Sequence, residues 1–327
     1  MVIARLAERH WARRTWLSRA LWPVSVLYCV FAGAHRQFRS RAAVRLPVPV
    51  ITIGNVTVGG SGKTPLAAWT AALVVRAGYR PGVVSRGYGG RSRGPQRVLP
   101  DADPVEVGDE PVLLARSGLQ VAIGVDRIAA ARLLIGEYGC NVIVSDDGLQ
   151  HWRLRPDIAV AVIDGRRRFG NGFCLPAGPL REPVTRLDSV DACVVQGGEI
   201  HPGEWSMRLA ARGFVNVADP RRTRTAAEFV EPAIHAVAGI GHPARFFDDL
   251  RSAGIVASPH PFADHHRFGP RDFGFATADS AVIMTEKDAV KCERFARDNF
   301  WFLRVVAEPD PGLAPMLLGL LKRASHG

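Results

Sequence analysis

Short apolar runs rich in β-branched residues alternate with longer segments of helical periodicity from residue 48 onward. The predicted strands are Val50–Ile53, Gly82–Ser85, Val121–Ile123, Val142–Ser145, Ile158–Ile163 and Cys193–Gln196. The predicted helices are Thr64–Arg76, Glu110–Ser117 and Arg127–Tyr138. This alternation predicts an α/β fold with a mostly parallel sheet and helices on both faces. Ligands of such a sheet bind at the carboxyl ends of its strands.

A second alternation begins near His235 and predicts a smaller α/β lobe. Its predicted strands are His235–Ala238, Val256–Pro259, Ala281–Thr285 and Trp301–Val306. Its predicted helices are Pro243–Ala253, Pro270–Ala278, Glu286–Arg297 and Gly312–Arg323. The turn residues of Asp219–Arg222 indicate where the two lobes meet. We therefore predict an N-terminal basic and apolar helix over residues 1–42, a larger α/β domain over 43–225 and a smaller one over 226–327.

The segment Ala20–Ala34 is apolar, contains Trp22 and Tyr28, and has arginines on both sides. Its 15 residues are fewer than the about 20 that a helix needs to span a bilayer. A signal peptide and a helix of a soluble core are alternatives. The flanking charge and the aromatic residues favour a short anchor that lies in the cytoplasmic leaflet. The arginines near this segment are Arg5, Arg13, Arg14, Arg19, Arg36, Arg39 and Arg41.

Composition narrows the class of protein only weakly. The 327 residues are 47% hydrophobic and 22% charged, as in folded proteins with sizeable cores. The formal net charge of +11 suits nucleic acid, anionic lipid or a phosphorylated substrate, and charge alone does not choose among them. The five cysteines are scattered without a Cys-x-x-Cys pair, which argues against a zinc site or a disulfide framework and fits a reducing compartment.

A glycine-rich loop between the first strand and the first helix is the strongest chemical signal. The segment Val48–Pro65 reads VPVITIGNVTVGGSGKTP and ends in Lys63 and Thr64 before the helix. Backbone N–H groups of such a loop surround phosphate oxygens, the lysine reaches the β- and γ-phosphates, and the threonine hydroxyl binds Mg²⁺. The usual pattern has glycine where this chain has Thr57, and a structural glycine turn is the alternative. The predicted nucleotide-binding residues are Thr57, Val58, Gly59, Gly60, Ser61, Gly62, Lys63 and Thr64.

Two adjacent acids, Asp146 and Asp147, follow the predicted strand Val142–Ser145. At the sheet edge where the phosphate loop also opens, an acid in this position helps hold Mg²⁺ directly or through water. Because successive strand residues point to opposite sides, both acids can face one metal only if the strand ends by Asp146. A turn or a helix cap completed by Gly148 is the alternative.

Two polar segments offer candidates for proton transfer. Asp109 precedes Glu110 and Pro111, a position typical of a helix cap, and it could also accept a proton from a substrate hydroxyl. His265 follows Asp264, and no second His/Cys pair at metal spacing accompanies it, so zinc is not favoured. A carboxylate–histidine pair that serves proton transfer and a surface turn both fit this segment.

Arginines in loop-like segments are candidate phosphate ligands, with solvated turns as the alternative. They are Arg86 in Ser85–Gly90, Arg127 after Gly124–Asp126 and Arg181 in Pro176–Pro183. The segment Thr285–Asp288 superficially matches the guanine-reading motif of GTPases. Its lysine and aspartate have the wrong spacing, so guanine specificity is not supported.

Seven segments together resemble one family, the tetraacyldisaccharide 4′-kinases of lipid A biosynthesis. In chain order they are GNVTVGGSGKTP, SRGYGG, VGDEP, SDDGLQH, PAGPLREP, DHHRF and TEKD. The resemblance covers nearly the whole chain, and the family's phosphate loop also lacks the usual first glycine. It implies transfer of the γ-phosphate of ATP, with Mg²⁺, to the 4′-hydroxyl of an acylated glucosamine disaccharide 1-phosphate. It also implies a location at the cytoplasmic face of the inner membrane.

The resemblance implies roles for the residues of the phosphate loop and the acid pair. Lys63 would stabilise charge on the γ-phosphoryl group. Thr64 would hold Mg²⁺, and Asp146 or Asp147 would complete the metal shell. The loop would therefore bind ATP as a phosphate donor.

The resemblance also implies that Asp109 takes the acceptor proton and that His265 is its partner. The candidate substrate residues, which the sequence does not rank, are Arg86, Arg127 and Arg181. A membrane-associated P-loop ATPase or GTPase that switches partners is the alternative, and the misplaced guanine motif argues against it. Nucleic-acid binding lacks a recognition motif, and the sequence indicates no obligate protein partner.

Overall fold

The computed structural model describes residues 10–326, so Arg5 and the first nine positions of the predicted N-terminal part lie outside the described residues. The described residues form helices α1 (Trp16–Ala20), α2 (Trp22–Arg41), α3 (Lys63–Arg76), α4 (Pro104–Val107), α5 (Asp109–Arg116), α6 (Arg127–Tyr138), α7 (Pro243–Ser252), α8 (Glu286–Cys292) and α9 (Leu313–His326). They form strands β1 (Val50–Gly54), β2 (Pro81–Ser85), β3 (Gln96–Val98), β4 (Gln120–Ile123), β5 (Val142–Ser145), β6 (Ile158–Asp164), β7 (Ala192–Gln196), β8 (Glu204–Asn216), β9 (Thr223–Arg224), β10 (Ala233–Ala238), β11 (Ser258–Pro261), β12 (Ser280–Thr285) and β13 (Phe300–Pro309). Short 3₁₀ helices lie at Val184–Ser189, Ala226–Glu228, Pro270–Phe273 and Glu293–Phe295.

One mostly parallel sheet contains all of these strands and confirms the predicted α/β fold. Its order is β11-β10-β12-β13-β8-β7-β6-β1-β5-β2-β4-β3, with β9 beside β8. The sheet contains two groups of parallel strands. The first group, in spatial order, is β8, β7, β6, β1, β5, β2 and β4, and the second is β11, β10, β12 and β13. The two groups meet where β13 pairs antiparallel with β8.

The central strands are apolar because both faces of the sheet are covered. Every residue of β1 and β5 is buried. Side chains of β5 alternate between two cores: Val142 and Val144 pack in the core that includes residues of α3 and α9, whereas Ile143 packs in the core that includes residues of α6. Thr52 of β1 pairs with Ser145 of β5, so the segments that follow these two strands leave the sheet at the same edge.

The sequence predicted only part of the long pair of β8 and β13. It predicted a strand at Trp301–Val306 but none at β8. The stretch Glu204–Asn216 contains arginines, alanines and a glycine, which are not typical strand formers, and pairing with β7 and β13 overrides that weak local preference. The register of the pair shifts between Leu303 and Val305 of β13, where β8 has one extra residue between Ala211 and Phe214. An extra residue of this kind increases the local twist of a sheet. The carboxyl ends of the two parallel groups meet despite their opposite directions, as the contact between Lys287 and Glu110 shows.

Three predicted elements of the second lobe differ from the structure. The predicted helix Pro270–Ala278 is a single 3₁₀ turn that ends at Phe273, because Phe273 is buried in an aromatic cluster and Gly274 follows it. The predicted strand at Val256 begins instead at Ser258, since Val256 is 88% exposed. The predicted helix Glu286–Arg297 ends at Cys292 and continues only as a 3₁₀ turn.

Helix α2 lies on the surface and is fastened to the loop after β6. Pro23 occupies its first turn, where a helix tolerates proline. Ser25 alone of the α2 residues is buried, and its hydroxyl donates to the Cys174 carbonyl at 2.8 Å. The Phe31 and Phe38 side chains are 72% and 73% exposed, which does not fit a core helix. Among residues 10–326, no helix has the length and apolar character needed to cross a bilayer.

Candidate active site

The glycine-rich loop joins β1 to α3 and ends in a helix N-terminus. Gly59 and Gly62 have φ values of 99° and 85°, a left-handed backbone that glycine adopts without strain. Lys63 is the first residue of α3, and Gly62 caps the helix without a side-chain hydrogen bond from the described residues. The first-turn N–H groups are thus available to phosphate oxygens and lie at the positive end of the helix dipole.

Thr57 stands where the usual phosphate-loop pattern has glycine, and its backbone pairs with a neighbouring loop. Thr57 forms an antiparallel β-bridge with Leu180, and the Val58 N–H donates to the Pro179 carbonyl at 2.8 Å. A β-branched residue suits such an extended segment. The loop that carries Arg181 is therefore held against the phosphate loop.

Asp146 faces Thr64 across the sheet edge. The Thr64 hydroxyl donates to Asp146 Oδ2 at 3.0 Å, and Asp146 Oδ1 is buried without a hydrogen-bond partner among the described residues. Burial, together with the charges of Glu110 and Asp147, raises the pKa of Asp146 to about 7. An unsatisfied carboxylate oxygen beside a hydroxyl fits a hard divalent cation such as Mg²⁺, which takes oxygen ligands.

Asp146→Asn is expected to raise the melting temperature by about 2–6 °C more at pH 8 than at pH 5. The pKa of Asp146 is raised to about 7, so the folded chain retains a proton that the unfolded chain releases at lower pH. The stability linked to this carboxyl is present at low pH and is lost as pH rises through about 7. Thermal unfolding without divalent cations at both pH values measures the effect. Equal shifts at the two pH values would contradict it.

Asp147 turns away from the strand and meets two cations. Strand β5 ends at Ser145, so the condition for both acids to face one site is met. Asp147 has a φ of 48°, and its Oδ1 lies 3.5 Å from Lys63 Nζ and 3.3 Å from Arg181 Nη1. Burial would raise the pKa of Asp147, but the charges of Lys63, Arg181 and Arg127 outweigh it and lower the pKa. A side chain at Gly148 would lie 2.5 Å from the Ser145 hydroxyl, so only glycine fits the turn.

Two of the predicted substrate arginines occupy different environments. Arg127 is 4% exposed, and its Nη1 donates to the Ser145 hydroxyl at 3.2 Å. It therefore balances the charge of the acid pair from within the protein. Arg86 is exposed at the end of β2 and lies near enough to Arg127 for its charge to oppose that of the guanidinium.

Asp109 and His265, far apart in the sequence, form a hydrogen-bonded pair. His265 Nδ1 lies 3.2 Å from Asp109 Oδ2, and Asp109 is 4% exposed. Burial would raise the pKa of Asp109, but the hydrogen bond from His265 and the charges of Lys287 and Lys291 outweigh it, and the net pKa is lowered. The carboxylate is thus held ionised at neutral pH. The helix cap is Gly108 rather than Asp109, which is the first residue of α5 and accepts the Glu110 N–H at 2.9 Å.

Two lysines of α8 complete this second cluster, and the sequence, in which Lys287 was considered only within the Thr285–Asp288 segment, placed neither at the site. Lys287 Nζ lies 3.2 Å from His265 Nε2 and 3.1 Å from Glu110 Oε1. Lys291 Nζ lies 3.7 Å from Asp109 Oδ2. Because Lys287 and Lys291 are one helical turn apart, they share a face of α8. A second lysine four residues after the lysine of Thr-Glu-Lys-Asp, a segment at the end of a strand, is the sequence signal that could have revealed both.

The Thr285–Asp288 segment has a structural role at the start of α8. The Thr285 hydroxyl accepts the Asp288 N–H at 3.1 Å, which caps the helix. Asp288 is completely buried and accepts the Gly239 N–H at 2.8 Å. A carboxylate enclosed in this way is not available to read a guanine base, which agrees with the wrong spacing of the motif.

Three polar residues near the phosphate loop were also absent from the sequence prediction. Gln150 Nε2 donates to the Asn55 carbonyl at 2.9 Å and to Glu182 Oε1 at 2.7 Å. Arg167 Nη2 donates to the Gly60 carbonyl at 3.1 Å. Arg167 follows β6, the neighbour of β1, so its position at a strand end was the available signal.

A cleft of about 280 Å³ opens beside Asp109 and His265. Gly89, Phe268 and Lys291 also line it. The Tyr88 ring packs edge-on against His265 with 4.8 Å between centroids. Glu110 connects the two clusters, since it contacts Lys287 and its charge raises the pKa of Asp146. An ionised carboxylate and a phosphate loop are therefore neighbours at one sheet edge.

The sequence model of one family, described as tetraacyldisaccharide-1-P 4′-kinase, matches residues 17–322. The chain belongs to this family. All seven segments that suggested the tetraacyldisaccharide 4′-kinases lie within the matched residues. Membership confirms the sequence prediction of a kinase of lipid A biosynthesis and does not favour the nucleotide-driven switch.

Individual relatives and a solved structure agree with this membership. The chain is 46% identical to the tetraacyldisaccharide 4′-kinase of Methylobacillus flagellatus over 98% of this chain and 97% of that protein. It is 48% identical to that of Alkalilimnicola ehrlichii over 96% of each. It is also similar to a crystal structure of LpxK from Aquifex aeolicus in complex with ATP, with a TM-score of 0.76 and 26% identity over 93% of this chain and 99% of that one.

Proposed function

We propose that this tetraacyldisaccharide 4′-kinase transfers the γ-phosphate of ATP to the 4′-hydroxyl of an acylated glucosamine disaccharide 1-phosphate. The observation that carries the proposal is the proximity of an ionised, buried Asp109 to a phosphate loop, with Glu110 between the two clusters. A switch protein has no need of a general base for a second substrate. Similarity to the ATP complex of LpxK supports ATP as the donor.

The phosphate loop from Thr57 to Thr64 would bind the phosphates of ATP through its N–H groups. Lys63 lies 3.5 Å from Asp147 and would contact the γ-phosphate when ATP is bound. Thr64 and Asp146 would hold Mg²⁺, which when bound offsets the negative charge of the β- and γ-phosphates. Arg181 would keep Asp147 paired after Lys63 turns to the phosphate.

Asp109 would act as the general base. The 4′-oxygen forms a bond to the γ-phosphorus, the bond from that phosphorus to the β–γ bridging oxygen breaks, and the hydroxyl proton passes to the Asp109 carboxylate. His265 would donate to Asp109 through Nδ1 and orient it. Arg86 and Arg127 stay candidates for contacts with the sugar or its phosphate.

Closure of two lobes, residues 43–225 and 226–327, would bring His265 to Asp109 and exclude water during transfer. Without such exclusion, hydrolysis of ATP would compete with phosphorylation of the lipid. The pairs that cross between the lobes, His265 with Asp109 and Lys287 with Glu110, would be made in the closed state.

We further propose that α2 places the enzyme at the cytoplasmic face of the inner membrane. Its exposed apolar side chains include Trp22, Leu27 and Phe31, and arginines flank them. Aromatic residues beside arginines suit the headgroup region of an anionic bilayer. A peripheral or shallow anchor would bring the active site to an acceptor that already lies in that bilayer.

Incubation with γ-labelled ATP, Mg²⁺ and tetraacyl disaccharide 1-phosphate in detergent micelles tests the proposed reaction. We expect labelled bisphosphorylated lipid and little free phosphate. The matched control is the same lipid with its 4′-hydroxyl blocked, which should remain unlabelled. Release of free phosphate at the same rate with either lipid would contradict the proposed acceptor.

A further inference from the structure

We infer that a basic groove between α2 and the segment after β5 binds a phosphate group carried by a membrane lipid. The groove has a volume of about 410 Å³ and is separate from the cleft at Asp109. The lining residues that carry the argument are Arg36, Arg41, His151, Trp152, Arg155 and Arg186. We call this set the basic groove. The inference rests on the proposed placement of α2 at the membrane and, where the lipid is the acceptor itself, also on the proposed reaction.

The inner end of the basic groove is rigidly built. The guanidinium groups of Arg36 and Arg186 lie 5.3 and 5.8 Å from the centre of the Trp152 ring, within the range of cation–π contacts. Both groups approach one carboxylate, Glu182, at 4.0 and 3.6 Å. The Arg186 side chain is only 8% exposed. Arg186 is thus held by packing, and Arg36, whose side chain is 40% exposed, lies against the same ring and carboxylate.

The basic groove has more positive charge than its surroundings balance. Arg41 and Arg155 are exposed and have no acidic partner within 4.0 Å among residues 10–326. Burial lowers the pKa of the Arg186 guanidinium, and the charge of Arg36 lowers it further, while Glu182 opposes both effects. Glu182 therefore faces Arg36 and Arg186 only, and Arg41 and Arg155 add two exposed positive charges to the groove. An anion in the basic groove would relieve this repulsion.

The geometry of the donors suits a phosphate. Arginine side chains offer several N–H groups in one plane, which match the oxygens of a phosphate. His151 lines the groove as a neutral ring, because burial and the charge of Arg127 lower its pKa to about 4. A ligand with several acceptor oxygens would accept hydrogen bonds from more than one of the arginines together.

The position of the basic groove indicates that this phosphate belongs to a lipid. Arg36 and Arg41 lie on α2, the helix with exposed Phe31 and Phe38. On the opposite side the groove reaches Gly148, the residue directly after Asp147. It therefore spans from the membrane-facing helix to the acid pair. Two lipids could supply the phosphate there, namely the acceptor through its 1-phosphate and a bilayer phospholipid through its headgroup.

The double variant Arg41→Gln/Arg155→Gln tests the inference, because both side chains are exposed and their loss leaves the core intact. The matched control is Arg76→Gln/Arg323→Gln, which removes the same charge from α3 and α9 on the other face of the sheet. The first measurement is kcat/KM in neutral micelles, with acceptor that carries or lacks the 1-phosphate. The second is cosedimentation with vesicles of phosphatidylcholine alone or mixed with phosphatidylglycerol.

For the test variant we expect a loss of about 5-fold per charge removed, either in kcat/KM or in vesicle binding. The control variant should show neither loss. A loss of kcat/KM that disappears when the acceptor lacks its 1-phosphate assigns the groove to the acceptor. Weaker binding to phosphatidylglycerol vesicles with unchanged kcat/KM assigns it to the bilayer. Equal behaviour of both variants in both measurements overturns the inference. If the wild type phosphorylates neither acceptor, the proposed function fails, and the vesicle measurement alone then decides for or against the groove.

Discussion

Asp109→Asn is expected to lower kcat by about 10²–10⁴-fold and to leave the Kd of ATP nearly unchanged. The amide has the shape of the carboxylate but cannot accept the hydroxyl proton. Asp109 belongs to the cluster with His265 and Lys291 rather than to the phosphate loop, so nucleotide affinity is not expected to depend on it. Rates at saturating ATP and acceptor, with ATP binding by calorimetry, measure the two effects separately.

Loss of stability is the competing explanation for such a result. The pKa of Asp109 is lowered in the folded chain, so its carboxylate contributes stability above its ordinary pKa, and that contribution is lost as pH falls through the folded pKa. Asp109→Asn should therefore lower the melting temperature at neutral pH. Assays well below that temperature keep the variant folded. Normal turnover of the folded variant would remove Asp109 from the role of base.

His265 offers a matched test of how Asp109 is held. His265 has a φ of 57°, a conformation that asparagine tolerates better than alanine, and its Nδ1 is the atom that contacts Asp109. An asparagine amide can place a donor near the same point. If His265 positions Asp109, His265→Asn should retain much more activity than His265→Ala. Equal losses would instead indicate that the imidazole itself transfers the proton.

The nucleotide part of the site could be predicted from the sequence because its determinants are local. A strand, a glycine-rich loop and a helix follow one another along the chain, and Lys63 begins α3. The acid pair was predictable for the same reason, since Val142–Ser145 is an apolar run that ends at two carboxylates. Adjacent parallel strands then bring both groups to one edge.

The contact between Asp109 and His265 depends on structure that no local pattern contains. Asp109 begins α5, between strands of the first parallel group, and His265 follows β11 of the second group, which runs in the opposite direction. The pair of β8 and β13 joins the two groups in one sheet, and the weak strand preference of Glu204–Asn216 concealed that pair. The resemblance to a family named the partners, but residue spacing alone left His265 as a possible surface turn.

The roles of Lys287 and Lys291 in the electrostatics of the site also could not be predicted from local sequence. Each is an ordinary lysine of a short helix until tertiary packing places it beside Asp109 or Glu110. Their charges are part of what lowers the pKa of Asp109 against the effect of burial. The ionisation state of a buried base is therefore a property of the assembled site and cannot be read from the residue's neighbours in the chain.

Lys63→Met is expected to lower the rate of phosphoryl transfer by about 10²–10³-fold. The methionine retains the length of the side chain and removes the charge that would stabilise the γ-phosphoryl group in the transition state. Lys63 lies 3.5 Å from Asp147, so loss of that ion pair is a competing cause. Arg181 also pairs with Asp147 at 3.3 Å, and Asp147 would keep one partner in the variant. Single-turnover rates with ATP already bound measure the chemical step.

A double-mutant cycle with Asp147→Asn separates the two causes, because the neutral amide no longer needs a cation. If Lys63 acts on the phosphoryl group, Lys63→Met should cost about the same factor in the Asp147→Asn background as in the wild type. If Lys63 serves only to neutralise Asp147, the second substitution should abolish the effect of the first. Asp147 itself contributes to the rate in either case, so only the ratio between variants with and without Lys63 is diagnostic. A ratio near one in the Asp147→Asn background would assign transition-state stabilisation to other positive groups at the loop, such as Arg181, Arg167 and the N-terminus of α3.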